Sequence, residues 1–217
     1  MDNCYIDKPM AKAALANMRS FYSELKDLYS RYDISLETDT GRRNMLMSSL
    51  QEKMFANEIK VKYPRATSDG KTGEPDIIIP ELNRELECKL TSKNRSGSWQ
   101  LQTDYNTLAA KGKLDYLYVL ASRDFTEFAV LFFKDLTCDD FHPPASGSKG
   151  KSRMRLGTAL KKCSVICGDV EDKSKAFLEK AEVALTQATS PRQAYAAVKR
   201  VHHWRNTTRV SFGLEAA

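Results

Sequence analysis

The sequence predicts a mixed α/β or α+β fold, in which a small central sheet is flanked by helices and the C-terminal part is helical. The order of periodic patterns along the chain is the first reason: helix, helix, strands, helix, strands, helices. The second is a set of short apolar runs bounded by turn residues, Ile77-Ile78-Ile79, 114–121 (LDYLYVLA) and 125–134 (FTEFAVLFFK), which read as buried strands. The third is size: 217 residues with 41% hydrophobic content suffice for one core with an appendage.

Residues 9–33 carry Met10, Ala14, Met18, Phe21, Leu25, Leu28 and Tyr32 at three- and four-residue spacing and read as a helix, with Asp7 as cap and Pro9 in the first turn. A second helix is expected over 42–62, capped by Thr40 and closed by Tyr63-Pro64, with Met45, Leu46, Leu50, Phe55 and Ile59 on its apolar side. Residues 66–74 are polar with two glycines and read as a loop. Strands at 77–79 and 84–90 enclose a turn at 80–83, and 91–98 (TSKNRSGS) is a loop. Residues 99–111 look helical. The two apolar runs that follow read as antiparallel strands joined by a short turn. Residues 142–152 (HPPASGSKGKS) suit a linker, 164–167 a further strand and 172–188 a helix. Ser190, Pro191 and Gln193 start a last helix as a capping box, and Phe212 is a candidate for a short terminal strand. This divides the chain into a core over 1–140 and a basic, helical segment over 141–217 packed on the same domain.

Composition narrows the function. Nine Phe, nine Tyr and two Trp argue against disorder, no repeat is present, and no window of 18 apolar residues spans a membrane. The N-terminus lacks the apolar stretch of a signal peptide and the five Cys are an odd number, so reduced thiols in a cytoplasmic setting are expected. No phosphate-binding glycine loop, dinucleotide fingerprint or nucleophile elbow is present. The net charge of +6 is uneven. Residues 141–217 hold 14 Lys/Arg against 6 Asp/Glu, whereas 1–140 hold 20 against 22. Lys149, Lys151, Arg153, Arg155, Lys161 and Lys162 fall in 14 residues without an acid, a stripe that suits a polyanion such as nucleic acid.

The chemistry concentrates in 73–90. Folded as a hairpin about Glu81-Leu82, residues whose numbers sum to 163 pair, and Asp76 lies across from Glu87. Glu-Leu is a poor two-residue turn, which leaves the register open, and Asn83 is the alternative left-handed position of a longer loop. Strand alternation puts Ile77, Ile79, Leu86, Cys88 and Leu90 on an apolar face and Asp76, Glu87 and Lys89 on the other. Two carboxylates held together repel unless a cation lies between them. Hard divalent ions, Mg²⁺ above all, match such a pair together with a backbone carbonyl, and a neighbouring ammonium completes a set able to promote water attack on a phosphodiester.

Pro75-Asp76, ten intervening residues and then Glu87-Cys88-Lys89 resemble the motif of the PD-(D/E)xK nuclease superfamily. The glycine-bearing loop before Pro75, the apolar run after Asp76 and the amphipathic helix ending in Tyr63-Pro64 are also similar to that family. The likeness covers about residues 42–135. It implies a restriction-endonuclease-like core in which Asp76, Glu87 and the Cys88 carbonyl hold Mg²⁺, with Mn²⁺ as a substitute, while Lys89 orients or helps deprotonate the attacking water. It also implies an acid on the preceding helix, Glu52 in preference to Glu58, and a glutamine near the site, for which Gln100 and Gln102 are candidates. The activity implied is that of a type II restriction endonuclease: a homodimer cutting double-stranded DNA to 5′-phosphate and 3′-hydroxyl ends. The alternatives are a repair, recombination or phage nuclease of the same fold, or a DNA-binding protein without chemistry.

Candidate DNA contacts are Lys93, Arg95, Lys149, Lys151, Arg153, Arg155, Lys161 and Lys162, with Arg205 and Arg209 as additions. His202-His203-Trp204 is a poor metal site, because adjacent residues on a helix point apart. Cys163, Cys167 and Cys88 read as core thiols.

Overall fold

A computed structural model describes residues 4–68, 73–92, 99–122, 124–147, 150–168, 181–199 and 201. Helices α1 (Lys8–Ser30) and α2 (Thr40–Lys62) come first, then strand β1 (Ile77–Ile79), a 3₁₀ turn over Pro80–Leu82, and β2 (Arg84–Ser92). They are followed by β3 (Gln102–Asp104), α3 (Tyr105–Lys111), β4 (Leu114–Ala121) and β5 (Phe128–Leu136). Strand β6 (Lys151–Arg153), helix α4 (Leu156–Lys161) and β7 (Cys163–Gly168) close the described core, and 181–186 and 191–199 are helical.

Five strands form one mixed sheet in the order β1-β2-β4-β5-β7, in which only β2 and β4 run parallel. The fold is mixed α+β with helices flanking that sheet. Because β7 pairs with β5, the basic C-terminal segment contributes a strand to the central sheet across the boundary expected at residue 140. Helices α1 and α2 cover one face, where Met18, Met47, Phe55 and Ile59 pack on Ile77, Cys88, Val119 and Phe132. The other face buries Tyr116, Tyr118, Leu131 and Phe133 beneath α3, Phe141 and the two-stranded ribbon of β3 and β6.

Several expectations need correction. Asp39, not Thr40, caps α2 by accepting the Arg42 N–H at 2.9 Å, because its carboxylate competes better for the open helix end. The stretch over 99–111 is helical only from Tyr105; Gln102–Asp104 pairs instead with Lys151–Arg153, and Asp104 caps α3. The same pairing takes Lys151 and Ser152 out of the expected linker. Strand β5 starts at Phe128, since Phe125 adopts a positive φ of 64° and turns its ring into the core beside Phe128. Strand β2 runs on through Thr91 and Ser92, paired in parallel with β4. Gln193 reaches back to Thr189 and not to Ser190, although Ser190 does cap that helix. The buried line of α1 runs through Ala11, Leu15, Met18 and Tyr22, so Phe21 and Leu28 are exposed; Tyr22 packs on Phe125 and sets that line. On α2, Met45 is exposed and Arg43, Met47 and Gln51 are buried in its place. The expected strand at Phe212 and the His202-His203-Trp204 segment lie outside the described residues.

The five cysteines are free thiols; Cys88 and Cys167 are buried. Among the described residues no helix is long and apolar enough to cross a membrane.

Candidate active site

The hairpin register is the one in which paired numbers sum to 163: Ile77 faces Leu86, Ile78 faces Glu85 and Ile79 faces Arg84. The turn is a 3₁₀ turn with Asn83 in the left-handed region at φ 50°, a conformation its short polar side chain tolerates. The outer edge of β1 is closed by Thr67, which exchanges two 2.9 Å backbone hydrogen bonds with Ile78. Ile77, Ile79, Leu86 and Cys88 enter the core under α1 and α2, so alternation turns Glu87 and Lys89 to the opposite face.

Asp76 stands one residue before β1, opposite Glu87, and its Oδ2 accepts the Cys88 N–H at 2.7 Å. Pro75 is buried and fixes the backbone on one side of it. One residue further back, Glu74 is tied to Lys111 of α3 at 2.8 Å, and Lys111 also reaches Glu85 at 3.3 Å. The loop that presents Asp76 is therefore pinned to both β2 and α3.

Lys89 Nζ donates to Glu87 Oε1 in a close ion pair. Burial alone would pull the Lys89 ammonium down, but the charge and hydrogen bond of Glu87, with Asp76 beyond, outweigh it and raise its pKa. Burial, then the Glu87 charge, push Asp76 up to about 7 against the opposing pull of Lys89. Glu52 on α2 is half-buried and is raised by burial and by Glu87, with Lys89 opposing. Glu52 adds a smaller upward push on Asp76 than Glu87 does, and Glu58 does not figure among the groups acting on it. The fold thus brings all four of the acidic and basic residues expected of the site into one electrostatic unit. Burial pushes the Cys88 thiol well up, in keeping with a core role and not a nucleophilic one.

The donor set fits a hard divalent cation. Asp76 and Glu87 offer carboxylate oxygens, and the repulsion that raises Asp76 is what a cation relieves. The N–H and C=O of one strand residue leave on the same side, so the Cys88 carbonyl opens beside Asp76, which holds the Cys88 N–H. Among the described residues no three His, Cys, Asp or Glu side chains gather into a ready-made cage, so the set is two carboxylates and a carbonyl, with Glu52 behind them.

The charge on Asp76 costs stability. Its folded pKa is raised, so its favourable contribution is present below the unfolded value of 3.8 and is lost as pH rises through about 7. Asp76→Asn keeps an acceptor for Cys88 and removes the charge. In EDTA it raises the unfolding free energy by about 2 kcal/mol near pH 8, a gain that fades below about pH 4. Urea titration at the two pH values measures this; equal stability at both would contradict the buried-charge reading.

Two contributors escape hydrophobic patterning. Gln51 of α2 is fully buried and its Nε2 donates to the Lys89 carbonyl at 3.4 Å, bracing the strand that carries Lys89. Arg43 is also fully buried, lies 4.7 Å over the Phe125 ring and donates to Ser92 Oγ at 3.1 Å. Their signal is the four-residue spacing of Arg43, Met47, Gln51, Phe55 and Ile59, visible only if polar members are admitted to the buried line.

A cleft of about 360 Å³ opens beside Lys89, bordered by Thr91, Gln100, Gln102, Asp104 and Lys151 among others. Gln100 and Gln102 thus lie near the site, joined by a 3.0 Å hydrogen bond, on extended chain and not on a helix. Arg153 is exposed on the ribbon, across from Gln102. Arg155 is exposed but spends its Nε on the Asp139 and Phe141 carbonyls, and Lys161 is exposed on α4. Lys162 is paired with the buried Asp140 at 2.9 Å. Lys93, Arg95, Lys149, Arg205 and Arg209 lie outside the described residues. Comparison with protein-family models, curated proteins and solved structures finds no match.

Proposed function

We propose that this chain is a Mg²⁺-dependent endodeoxyribonuclease with a restriction-endonuclease-like core, acting on double-stranded DNA as a homodimer in the manner of a type II restriction endonuclease. The observation that carries the reading is the meeting of Asp76, Glu87 and Lys89 on the β1–β2 hairpin, with Glu52 of α2 within electrostatic reach of them. The element order supports it too: a helix, the hairpin, a parallel neighbour and an antiparallel strand beyond.

In this reading Asp76, Glu87 and the Cys88 carbonyl would hold Mg²⁺. When bound, the ion supplies the Lewis acidity that activates water and offsets charge building on the phosphate. Asp76 is oriented by the Cys88 N–H. Lys89, kept as an ammonium by Glu87, orients the attacking water and donates toward the charge that develops on the phosphoryl oxygens. Glu52 would add a further carboxylate able to accept hydrogen bonds from water at such an ion. Gln51 fixes the backbone of Lys89.

Incubation with supercoiled plasmid tests the reading. Cleavage is expected in Mg²⁺ and none in EDTA, and discrete fragments mark sequence specificity. A smear or a preference for branched substrates favours a repair or phage nuclease of the same fold. DNA binding without any cleavage in Mg²⁺ or Mn²⁺ refutes the enzymatic reading.

A further inference from the structure

The cleft beside Lys89 has two lysines at its border, and they differ in one respect. Lys89 is neutralised by Glu87. Lys151 is exposed and has no carboxylate in ion-pair range among the described residues, unlike Lys111, Lys113 and Lys162. Asp104, its partner across the ribbon, has its Oδ1 committed to the Asn106 and Thr107 N–H groups at 3.0 and 3.1 Å.

The backbone holds Lys151 in place. Its neighbour Ser152 is buried against Thr103, and Gly150 before it turns at φ 81° while its carbonyl accepts the Tyr105 N–H at 2.9 Å. A Cβ at Gly150 would come within 3.2 Å of Asn106, so the turn is packed against α3 as well as hydrogen-bonded to it. The remaining polar border, Thr91, Gln100 and Gln102, is neutral and offers donors and acceptors. A cleft with one cation at its rim that makes no ion pair among the described residues, walls that are neutral apart from Asp104, whose Oδ1 is held by the N–H groups of α3, and a proposed site for phosphodiester chemistry at its end suits one unit of a sugar–phosphate backbone.

We infer that this cleft seats the phosphate adjoining the scissile one, and that Lys151 is the positioning residue that binds it. The inference rests on the nuclease reading for the identity of the neighbouring site, but its readout is binding. Polarisation of a fluorescein-labelled DNA duplex in Ca²⁺ is measured over a salt series. Lys151→Ala weakens binding about tenfold and lowers the log–log salt slope by about one. Lys151→Arg restores most of the affinity. Lys12→Ala, an equal change of charge on the exposed side of α1, leaves affinity and slope near wild type.

An unchanged slope in Lys151→Ala overturns the inference, as does an equal loss in Lys12→Ala or a wild type that binds no DNA. The two readings separate cleanly. Loss of binding in Lys151→Ala from a protein that never cuts keeps the phosphate site and refutes the nuclease. Unaltered binding alongside Asp76-dependent cutting does the reverse.

Discussion

Alanine at Lys89 is expected to lower the rate of plasmid cleavage in Mg²⁺ about 10³-fold, and alanine at Asp76 at least as far. Both effects follow from where the side chains act. In the proposed mechanism Lys89 donates to charge that exists only as the phosphate is attacked, so its removal is expected to reach kcat more than binding. Asp76 holds one side of the proposed metal set, and its loss leaves Glu87 and a carbonyl. Neither residue belongs to the buried core, and duplex binding in Ca²⁺ changes little for Lys89→Ala. Single-turnover cleavage with saturating enzyme separates these steps. A Lys89→Ala protein that cuts within a few-fold of wild type would remove the residue from the chemistry.

The second large effect is on folding. Asp115 at the start of β4 is buried, and its two oxygens accept the Tyr5 hydroxyl at 3.0 Å and the Asp135 N–H at 2.8 Å. Arg84 lies 3.6 Å from it and 2.6 Å from Asp135. Burial raises the Asp115 pKa, and its hydrogen bonds and Arg84 only partly oppose the rise. Asp115→Ala orphans a buried hydroxyl and a backbone N–H together and leaves a cavity, at a cost of about 4 kcal/mol. Asp115→Asn retains one acceptor and costs about half as much. Urea unfolding of both variants measures this, and a loss under about 1 kcal/mol in the alanine variant would mean that the Tyr5–Asp115–Arg84 cluster is incidental.

Local physics made the hairpin legible. Strand alternation and the numbers of the paired residues put Asp76 against Glu87, and the observed register agrees, because one buried face of Ile77, Ile79, Leu86 and Cys88 leaves no room for a one-residue slip. The position of Glu52 on α2 could be read in the same way, since it lies three and seven residues before Phe55 and Ile59, which α2 carries into the core against the sheet. The β3–β6 ribbon was not. Gln102-Thr103-Asp104 is polar and short, and what makes it a strand is a partner some fifty residues later in the chain. Periodicity carries no trace of such a pairing. Arg43 and Gln51 escaped for the opposite reason: their positions are regular, but their polarity argues against burial until Phe125, Ser92 and the Lys89 carbonyl are in view.

The nuclease proposal requires that Asp76 and Glu87 form one divalent-cation site. Titration with Mn²⁺ followed by electron paramagnetic resonance reads it without DNA or turnover. Wild-type protein is expected to take up Mn²⁺ at a site that Mg²⁺ competes for and that both Asp76→Ala and Glu87→Ala lose. Mn²⁺ uptake by Asp76→Ala with wild-type affinity and stoichiometry would rule out a cation site at these carboxylates.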